Sequence, residues 1–337
     1  IYIPHGSGKP VSPKKVRVLF ASVLFGFLIP VAIIFLRASM DETVRDRFDI
    51  ERRGGIPFLG EVPLSERRST VRTLLRRFGL IPPKSSIIVA QGGQGPVNEA
   101  FRMIRTKMEL TSTNMDGEGC KVYMVTAPQE GVGKTFVAMN LALVLAVDNR
   151  RVLFIDGDLR KASASQRWNT PKAGLSNYLD GSVSDMGSLL YHPKGFPTLD
   201  VLPAGPVPPN PTELLRGILF DFFIKIVRQQ YDYIIIDTPP ADMLADARIM
   251  EKNTDRSLFI VRAGHYKRSH LDDLKEPDGK IRNRLVILNG VSIGSRYGNA
   301  YGHEYGTLKI MENVKKALLK LINRYKHVLS SSIKLHR

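Results

Sequence analysis

The sequence predicts an α/β fold in which a mostly parallel sheet is flanked by helices and preceded by one transmembrane helix. Three observations carry this prediction. From about Pro96 to Gly294, short apolar runs alternate with helical patterns, as in strands joined by crossover helices. A glycine-rich turn separates the first of these runs from an apolar helix, and residues 18–36 form an uncharged apolar run.

The apolar run Val18–Leu36 has 19 residues, close to the roughly 20 that a bilayer-spanning helix needs. Lys14, Lys15 and Arg17 precede it and Arg37 follows it, as expected of anchors at the membrane interfaces. A buried core helix is the alternative, and a signal peptide fits poorly because no small-residue cleavage site follows. We therefore predict a transmembrane helix over residues 18–36.

The segments on either side of this run predict a membrane-anchored protein. Residues 1–17 are expected to be the end of a larger extracytoplasmic segment, since the sequence opens on Ile1 rather than Met. Residues 37–95 are expected to be a basic juxtamembrane linker. From Arg67 to Lys84 this linker has six basic residues and no acidic one, which favours the cytoplasmic side. The same run is a candidate for contact with anionic headgroups, and a merely solvated linker is the alternative to that contact.

Composition limits the classes of fold and partner. The chain has 337 residues, of which 43% are hydrophobic and 24% charged, and this excludes general disorder. Its 49 Lys and Arg against 32 Asp and Glu give a net charge of +17, which predicts an anionic partner such as a membrane surface, a polyphosphate or nucleic acid. The single cysteine, Cys120, excludes a disulfide within the chain and a multi-cysteine metal cluster.

Six apolar runs are predicted to be strands of the sheet. Ligands of parallel sheets bind beyond the carboxyl ends of the strands, so the residues at those ends are the first candidates for a site. The predicted strands are Lys121–Ala127, Arg151–Asp156, Thr198–Leu202, Tyr233–Asp237, Ser257–Val261 and Leu285–Asn289.

The turn after the first predicted strand has the features of a phosphate loop, in the required order of strand, loop and helix. Glycines at 131 and 133 allow backbone amides to converge on phosphate oxygens at the start of a helix. Lys134 is placed to reach the outer phosphates, and the Thr135 hydroxyl is a ligand for Mg²⁺. Pro128 stands where the full pattern has its first glycine.

Two more predicted strands end in carboxylates, Asp156-Gly-Asp158 and Asp237-Thr-Pro-Pro. An acid at a strand end is usually a turn former or a helix cap. Next to a phosphate loop a metal site is favoured, because Mg²⁺ takes one or two carboxylates beside phosphates and water. The predicted metal-positioning residues are Thr135, Asp156 and Asp237. The predicted nucleotide-binding residues are Gly131, Val132, Gly133, Lys134, Thr135, Phe136 and Asp237.

In this order, the three motifs resemble the Walker A, Walker A′ and Walker B motifs of the bacterial tyrosine kinases of capsule and exopolysaccharide export. The region around the apolar run, up to Ile56-Pro-Phe-Leu-Gly60, is similar to the second membrane helix of the polysaccharide chain-length regulators to which such kinases are fused. The resemblance extends to about Gly306. It implies a P-loop kinase domain at 96–294, in the cytoplasm at the bacterial inner membrane.

The resemblance also implies an activity, the transfer of the γ-phosphoryl group of ATP to tyrosine with Mg²⁺ as cofactor. Lys134 and Thr135 would hold ATP and Mg²⁺, and Asp158 or Asp156 would help to activate a tyrosine hydroxyl. The implied catalytic residues are therefore Lys134, Asp156 and Asp158. The implied partners are other copies of the chain in a ring, the polysaccharide polymerase and export machinery, and a cognate tyrosine phosphatase.

A tyrosine cluster at 295–306 contains three Tyr-Gly pairs, at Tyr297, Tyr301 and Tyr305. Each glycine costs a helix about 1 kcal/mol, so we expect a non-helical segment that exposes its phenols. The resemblance implies that these tyrosines are the phosphate acceptors, and a plain glycine-rich loop is the alternative. The residues that follow, 307–337, are expected to be a basic amphipathic tail, either on a membrane or partner or packed on the domain.

Glu99, Arg102 and Arg105 are spaced by three and share one face of a predicted helix. The ordinary interpretation is a surface ion pair worth a few tenths of a kcal/mol. Their E-x-x-R-x-x-R pattern resembles the family's oligomerisation motif, which favours an interface. A second segment, from Pro203 to Leu215, resembles the family's proline-rich loop that opens a helix.

Two other functions stay open. A membrane-associated ATPase of the ParA or MinD type has a related phosphate loop. Proteins of that type have a signature lysine at the position of Gln129, and their second motif usually continues Asp-Pro-Gln, whereas Leu-Arg follows Asp158 in this chain. The other is a non-catalytic subunit that binds nucleotide only to regulate a polysaccharide export complex. The sequence has no nucleic-acid recognition motif, so we expect no nucleic-acid partner, and membrane contact explains the basic charge better.

Overall fold

The computed structural model describes residues 15–54, 57–64, 88–89, 93, 95–112, 119–241, 245–274 and 283–292. The chain divides into two compact units, residues 1–43 and residues 44–337. The tyrosine cluster at 295–306, the tail at 307–337 and the basic run from Arg67 to Lys84 lie outside the described residues.

The first unit contains a single described helix, α1 (Lys15–Ser39). All of its side chains from Val18 to Leu36 are exposed. By length and composition this is a helix that can cross a membrane. Pro30 lies within it, as is tolerated in membrane helices.

The second unit is built on a seven-stranded sheet in which every pair of neighbouring strands is parallel. The strand order is β1-β7-β6-β2-β5-β3-β4. The strands are β1 (Phe58–Pro63), β2 (Lys121–Thr126), β3 (Val152–Asp156), β4 (Leu199–Leu202), β5 (Tyr233–Asp237), β6 (Arg256–Arg262) and β7 (Arg284–Val291).

Helices cover both faces of this sheet, so the interior strands β3 and β5 are buried along their whole length. Their continuous apolar sequences reflect burial on both faces. The helices are α2 (Arg47–Gly54), α3 (Pro96–Ser112), α4 (Lys134–Val147), α5 (Ser163–Trp168), α6 (Leu175–Leu179), α7 (Pro211–Arg216), α8 (Ile218–Val227) and α9 (Ala245–Glu251), with two 3₁₀ helices at Gly187–Leu189 and Arg268–Leu274. The predicted α/β fold with a parallel sheet is confirmed.

Strand β1 differs from the sequence expectation, because it lies inside the range 37–95 that was expected to be a linker. It forms the edge of the sheet by pairing with β7, more than 200 residues later in the chain. Gly60 packs so closely against Ile104 of α3 that a Cβ would lie 2.6 Å from the isoleucine Cγ1. A short run that contains glycine and ends in proline shows little strand periodicity, and only its distant partner makes it a strand.

Candidate nucleotide site

The phosphate loop is the connection between β2 and α4. Gly131 and Gly133 adopt positive φ angles of 73° and 98°, which favour glycine, and α4 begins directly afterwards at Lys134. The first backbone amides of a helix have no intrahelical partners, and the helix dipole makes this end positive. The loop therefore presents amides where an anion would bind, as its sequence predicts.

Lys134 is the first residue of α4, where it is surrounded by acidic groups. Burial lowers its pKa, and the carboxylates of Asp237, Asp158 and Glu130 oppose this effect. A lysine in such a dry site is most stable as a cation when an additional anion is close. Nucleotide phosphates are anions of the required kind.

Asp156 and Asp237 lie side by side at the carboxyl ends of β3 and β5, where they are register partners. Both are buried, with exposures of 0% and 1%. Burial, opposed by hydrogen bonds from Ser165, raises the pKa of Asp156 to about 6. Burial, together with the neighbouring charge of Asp156, raises the pKa of Asp237 to about 8. One oxygen of each, Oδ1, is buried without a hydrogen-bond partner.

The remaining oxygens of these acids are held by hydroxyl groups. Oδ2 of Asp156 accepts hydrogen bonds from the backbone amide of Ser165 (2.8 Å) and from its hydroxyl (2.6 Å). The Thr135 side chain lies close enough to Asp237 to oppose the rise in the pKa of that carboxyl. The two carboxylates are thus oriented, and each keeps one buried oxygen for another ligand.

Asp158 lies two residues beyond β3 in a tight turn. Its Oδ1 accepts hydrogen bonds from the backbone amides of Arg160 (3.3 Å) and Lys161 (3.1 Å). It is 7% exposed, so it lies nearer the surface than Asp156. Lys161 in turn forms an ion pair with Glu130 of the phosphate loop, which joins this turn to the loop.

Asn289, near the end of β7, contacts the phosphate loop and was not singled out from the sequence. Its Nδ2 donates a 2.7 Å hydrogen bond to the carbonyl oxygen of Val132, and the side chain is buried. A Cβ on Gly133 would lie 2.2 Å from this nitrogen, so the glycine is required for the close approach. The sequence did contain a signal, because Asn289 ends a predicted strand at the edge where ligands bind.

The structure brings Lys134, Thr135, Asp156, Asp158 and Asp237 together at one edge of the sheet, as the motifs predict. Within the described residues, no group of three or more His, Cys, Asp or Glu side chains has a metal-binding arrangement. Any metal at this edge would therefore depend on the threonine hydroxyl, phosphates and water as well as on the acids.

Other predicted residues lie away from this edge. Phe136 packs edge-on against Phe101 of α3, with ring centroids 6.0 Å apart, so its side chain serves the core. In α3, Arg102 pairs with Glu99. Arg105 donates to the carbonyl oxygen of Val144 at the far end of α4 (3.3 Å). The three residues of the E-x-x-R-x-x-R pattern thus lie apart from the site, and an interface on this face stays a prediction.

Comparison with known proteins identifies the family. The family described as AAA domain matches residues 120–284. The tyrosine-protein kinase CpsD of Streptococcus agalactiae is 36% identical over 198 residues, which cover 58% of this chain and 82% of that protein. The chain belongs to the bacterial tyrosine-protein kinases. This confirms the resemblance to that family that the motifs of the kinase domain indicate.

Longer relatives and solved structures agree with this assignment. The putative tyrosine-protein kinase EpsB of Ralstonia solanacearum is 31% identical over 302 residues, which cover 89% of this chain. The chain spans only 38% of that relative's length, and fusion to a complete chain-length regulator stays a prediction. The kinase domain of Escherichia coli tyrosine kinase ETK superposes with a TM-score of 0.62 at 28% identity, covering 78% of this chain and all of that domain.

Proposed function

We propose that the chain is an ATP- and Mg²⁺-dependent protein-tyrosine kinase that phosphorylates its own tyrosine cluster. The observation that carries this proposal is the pair of buried carboxylates, Asp156 and Asp237, beside the phosphate loop. Each has one oxygen without a hydrogen-bond partner. Lys134 is close enough for its positive charge to offset part of the rise in the pKa of Asp237. Buried acids with unpartnered oxygens are costly unless a ligand completes them.

The donor atoms at this edge fit Mg²⁺. The ion prefers oxygen ligands, and the Thr135 hydroxyl with the free oxygens of Asp156 and Asp237 supplies these, directly or through water. When bound, Mg²⁺ neutralises charge that develops on the phosphates during phosphoryl transfer. The site residues keep the role that the sequence motifs indicate for them.

Groups of the protein itself bind the phosphates and accept the tyrosine proton. The amides of the phosphate loop and the Lys134 ammonium hold the phosphates and stabilise the charge on the transferred group. In the transfer, a tyrosine oxygen forms a bond to the γ-phosphorus, the bond from that phosphorus to the β,γ-bridging oxygen breaks, and ADP leaves. The phenol proton passes to a carboxylate.

Asp158 is the better proton acceptor of the two acids after β3. Asp156 is fully buried, and the proposal already assigns its oxygen without a hydrogen-bond partner to the metal. Asp158 is nearer the surface, where a phenol from another segment or another copy of the chain can approach. A carboxylate within hydrogen-bond reach is needed because a free phenol, with a pKa near 10, reacts poorly at neutral pH.

The same proposal includes the cellular setting. Helix α1 is long and apolar enough to anchor the chain, so we place the kinase domain on the cytoplasmic side of a bacterial inner membrane. Assembly through Glu99, Arg102 and Arg105, regulation of capsule or exopolysaccharide polymerisation and export, and reversal by a cognate tyrosine phosphatase are further parts of the proposal. They rest on membership of the kinase family.

The test uses the full chain purified in detergent and incubated with ATP and MgCl₂. We expect mass spectrometry to find phosphotyrosine at Tyr297, Tyr301 or Tyr305. Lys134→Met should reduce it by more than about 100-fold, because the ammonium that stabilises the transferred group is lost. Lys252→Met is the matched control, since this lysine pairs with Asp221 on an exposed surface and should not affect the rate.

Other outcomes would reassign the protein. Consumption of ATP while all three tyrosines stay unmodified would move the chain to the ATPases of the ParA or MinD type. Binding of nucleotide without any turnover would indicate a non-catalytic regulatory subunit.

A further inference from the structure

Two side chains from distant parts of the second unit, those of Arg160 and Thr212, meet at Asp246, a residue to which the proposed reaction gives no role. Asp246 lies in the first turn of α9 and is only 1% exposed. Its Oδ2 accepts a 2.8 Å hydrogen bond from Nε of Arg160, and its Oδ1 accepts a 2.6 Å hydrogen bond from the Thr212 hydroxyl. The Thr212 oxygen also accepts a bond from Nη2 of Arg160 (2.9 Å), which closes a triangle.

This triangle holds the segment that carries Asp158. Arg160 follows Asp158 by two residues, and its backbone amide donates to Asp158 Oδ1. The turn is closed by a 2.8 Å hydrogen bond from the amide of Ala162 to the carbonyl oxygen of Asp158, and Ala162 has a positive φ of 47°. Because the Arg160 side chain is fixed at Asp246, the backbone that presents amides to Asp158 is fixed as well.

The triangle also gives a function to the proline-rich segment. Thr212 is in the first turn of α7, which opens with Pro211. The other end of the same segment reaches the second carboxylate, because the amide of Ala204 donates to the Ser165 hydroxyl (3.0 Å), and that hydroxyl donates to Asp156. One segment, residues 204–212, thus supports the groups that hold both acids.

We propose that Asp246 and Thr212 are positioning residues that act through Arg160 to hold Asp158 where it accepts the proton of the tyrosine. The inference rests on the proposed function, since it assigns these residues to the same reaction. A buried carboxylate with only structural value would change the stability of the fold and leave turnover unchanged. A positioning residue changes turnover while the nucleotide still binds.

The test compares variants of the full chain in detergent. We expect Asp246→Asn and Thr212→Val to reduce kcat for autophosphorylation by about 10- to 100-fold, as small misplacements of a reacting group do. Affinity for Mg-ADP, measured by calorimetry, should be unchanged, because the contacts of Asp246 and Thr212 described above are with Arg160 and with each other, and not with the phosphate loop. Thr212→Ser keeps the hydroxyl and should restore kcat.

A second readout does not depend on turnover. In the nucleotide-free protein, amide hydrogen exchange of residues 158–162 should be faster in Asp246→Asn than in the wild-type chain. Asp255→Asn is the matched control, because Asp255 also forms an ion pair with an arginine, Arg228, with two contacts of 3.0 Å, at the other end of the sheet. It should lower the melting temperature and leave both kcat and the exchange of residues 158–162 unchanged.

The outcomes separate this inference from the proposed function. If the wild-type chain makes phosphotyrosine and both Asp246→Asn and Thr212→Val do so at the wild-type rate, only the positioning role is overturned. An equal loss of kcat and of Mg-ADP affinity would overturn it too. If the wild-type chain consumes ATP without making phosphotyrosine, the proposed function itself fails. Should Asp246→Asn not fold, Thr212→Val and its Thr212→Ser rescue decide the matter.

Discussion

Buried and half-buried aspartates have opposite surroundings at the two ends of the parallel sheet. At the carboxyl end, Asp156 and Asp237 are buried, lie next to each other and keep oxygens without partners. At the amino end, Asp255 receives two hydrogen bonds from Arg228 and a third from the amide of Val122 (2.7 Å). One end uses its acids to hold the fold together, and the other holds them ready for a ligand.

The pKa values of two aspartates express this difference. Partial burial alone would raise the pKa of Asp232 at the amino end, but the hydrogen bonds and the charge of Arg151 together outweigh burial, so the pKa is lowered. Asp237 at the carboxyl end has a pKa raised to about 8, because it is buried beside a second acid. Paired acids stabilise the folded state at neutral pH, whereas unpaired buried acids destabilise it until a cation binds. The pair of buried acids that would bind a cation therefore lowers the stability of the ligand-free protein.

Asp237→Asn gives the largest expected change. The folded protein keeps the Asp237 proton up to a pH of about 8, whereas the unfolded chain has lost it above a pH of about 4. The folded state therefore binds more protons in this window, and its stability falls as pH rises through it. The amide removes this cost, so the nucleotide-free variant should melt higher than wild type, by about 5 °C at pH ~8 and by less at pH ~5.

The same variant should no longer be stabilised by Mg-ADP, since it loses a ligand of the proposed metal site. Asp232→Asn is the control at the amino end. The pKa of Asp232 is lowered in the folded state, so its contribution is complete above a pH of about 4 and should be equal at both pH values. A lower melting temperature for Asp237→Asn at the higher pH would show that this end of the sheet is not under electrostatic strain.

Ser165→Ala should have an intermediate effect. It removes the hydroxyl that donates to Asp156 and leaves the backbone amide bond in place. Residues that orient metal ligands typically contribute 10- to 100-fold to affinity, so we expect Mg-ADP to bind about tenfold more weakly. The lost bond to the Ala204 amide should cost about 1 kcal/mol of stability as well. Calorimetry and thermal melts measure the two effects.

Ser188→Ala is the comparison for this variant, because the Ser188 hydroxyl donates only to the exposed backbone carbonyl of Asp185. It should change neither quantity. Wild-type affinity for Mg-ADP in Ser165→Ala would mean that the buried hydroxyl does not prepare Asp156 for a metal.

Much of the sheet was predictable because its central strands are continuous apolar runs. The predicted bounds of β5, Tyr233–Asp237, agree with the structure, and β7 extends the predicted run Leu285–Asn289 at both ends. Strand β1 was missed for a physical reason. Its short sequence has little strand propensity, and it is stabilised by pairing with β7 and by contact with α3, neither of which is visible in a local pattern.

The site was predictable where residues follow one another in the chain, and unpredictable where the fold brings distant residues together. The phosphate loop and the acids at the ends of β3 and β5 are local patterns, and a rule on strand ends places them at one edge. Asp246 is separated from Arg160 by 86 residues and resembles an ordinary acid in a first helical turn. Ser165 likewise has no sequence signal, because its importance comes from the buried oxygen of Asp156.

Arg151→Gln should have the smallest effect, and it tests whether an acid at the amino end, which accepts more than one hydrogen bond, tolerates the loss of one of them. The arginine side chain is 61% exposed and pairs with Asp232 at 2.9 Å. Its backbone amide makes a separate 2.9 Å bond to the same carboxylate, which the substitution preserves. Exposed pairs contribute little and are screened by salt, so the melting temperature should fall by less than about 1 °C at low salt and not at all at high salt. A fall of several degrees that persists in high salt would show that single ion pairs at this end matter individually, and the contrast between the two ends of the sheet would then be one of degree.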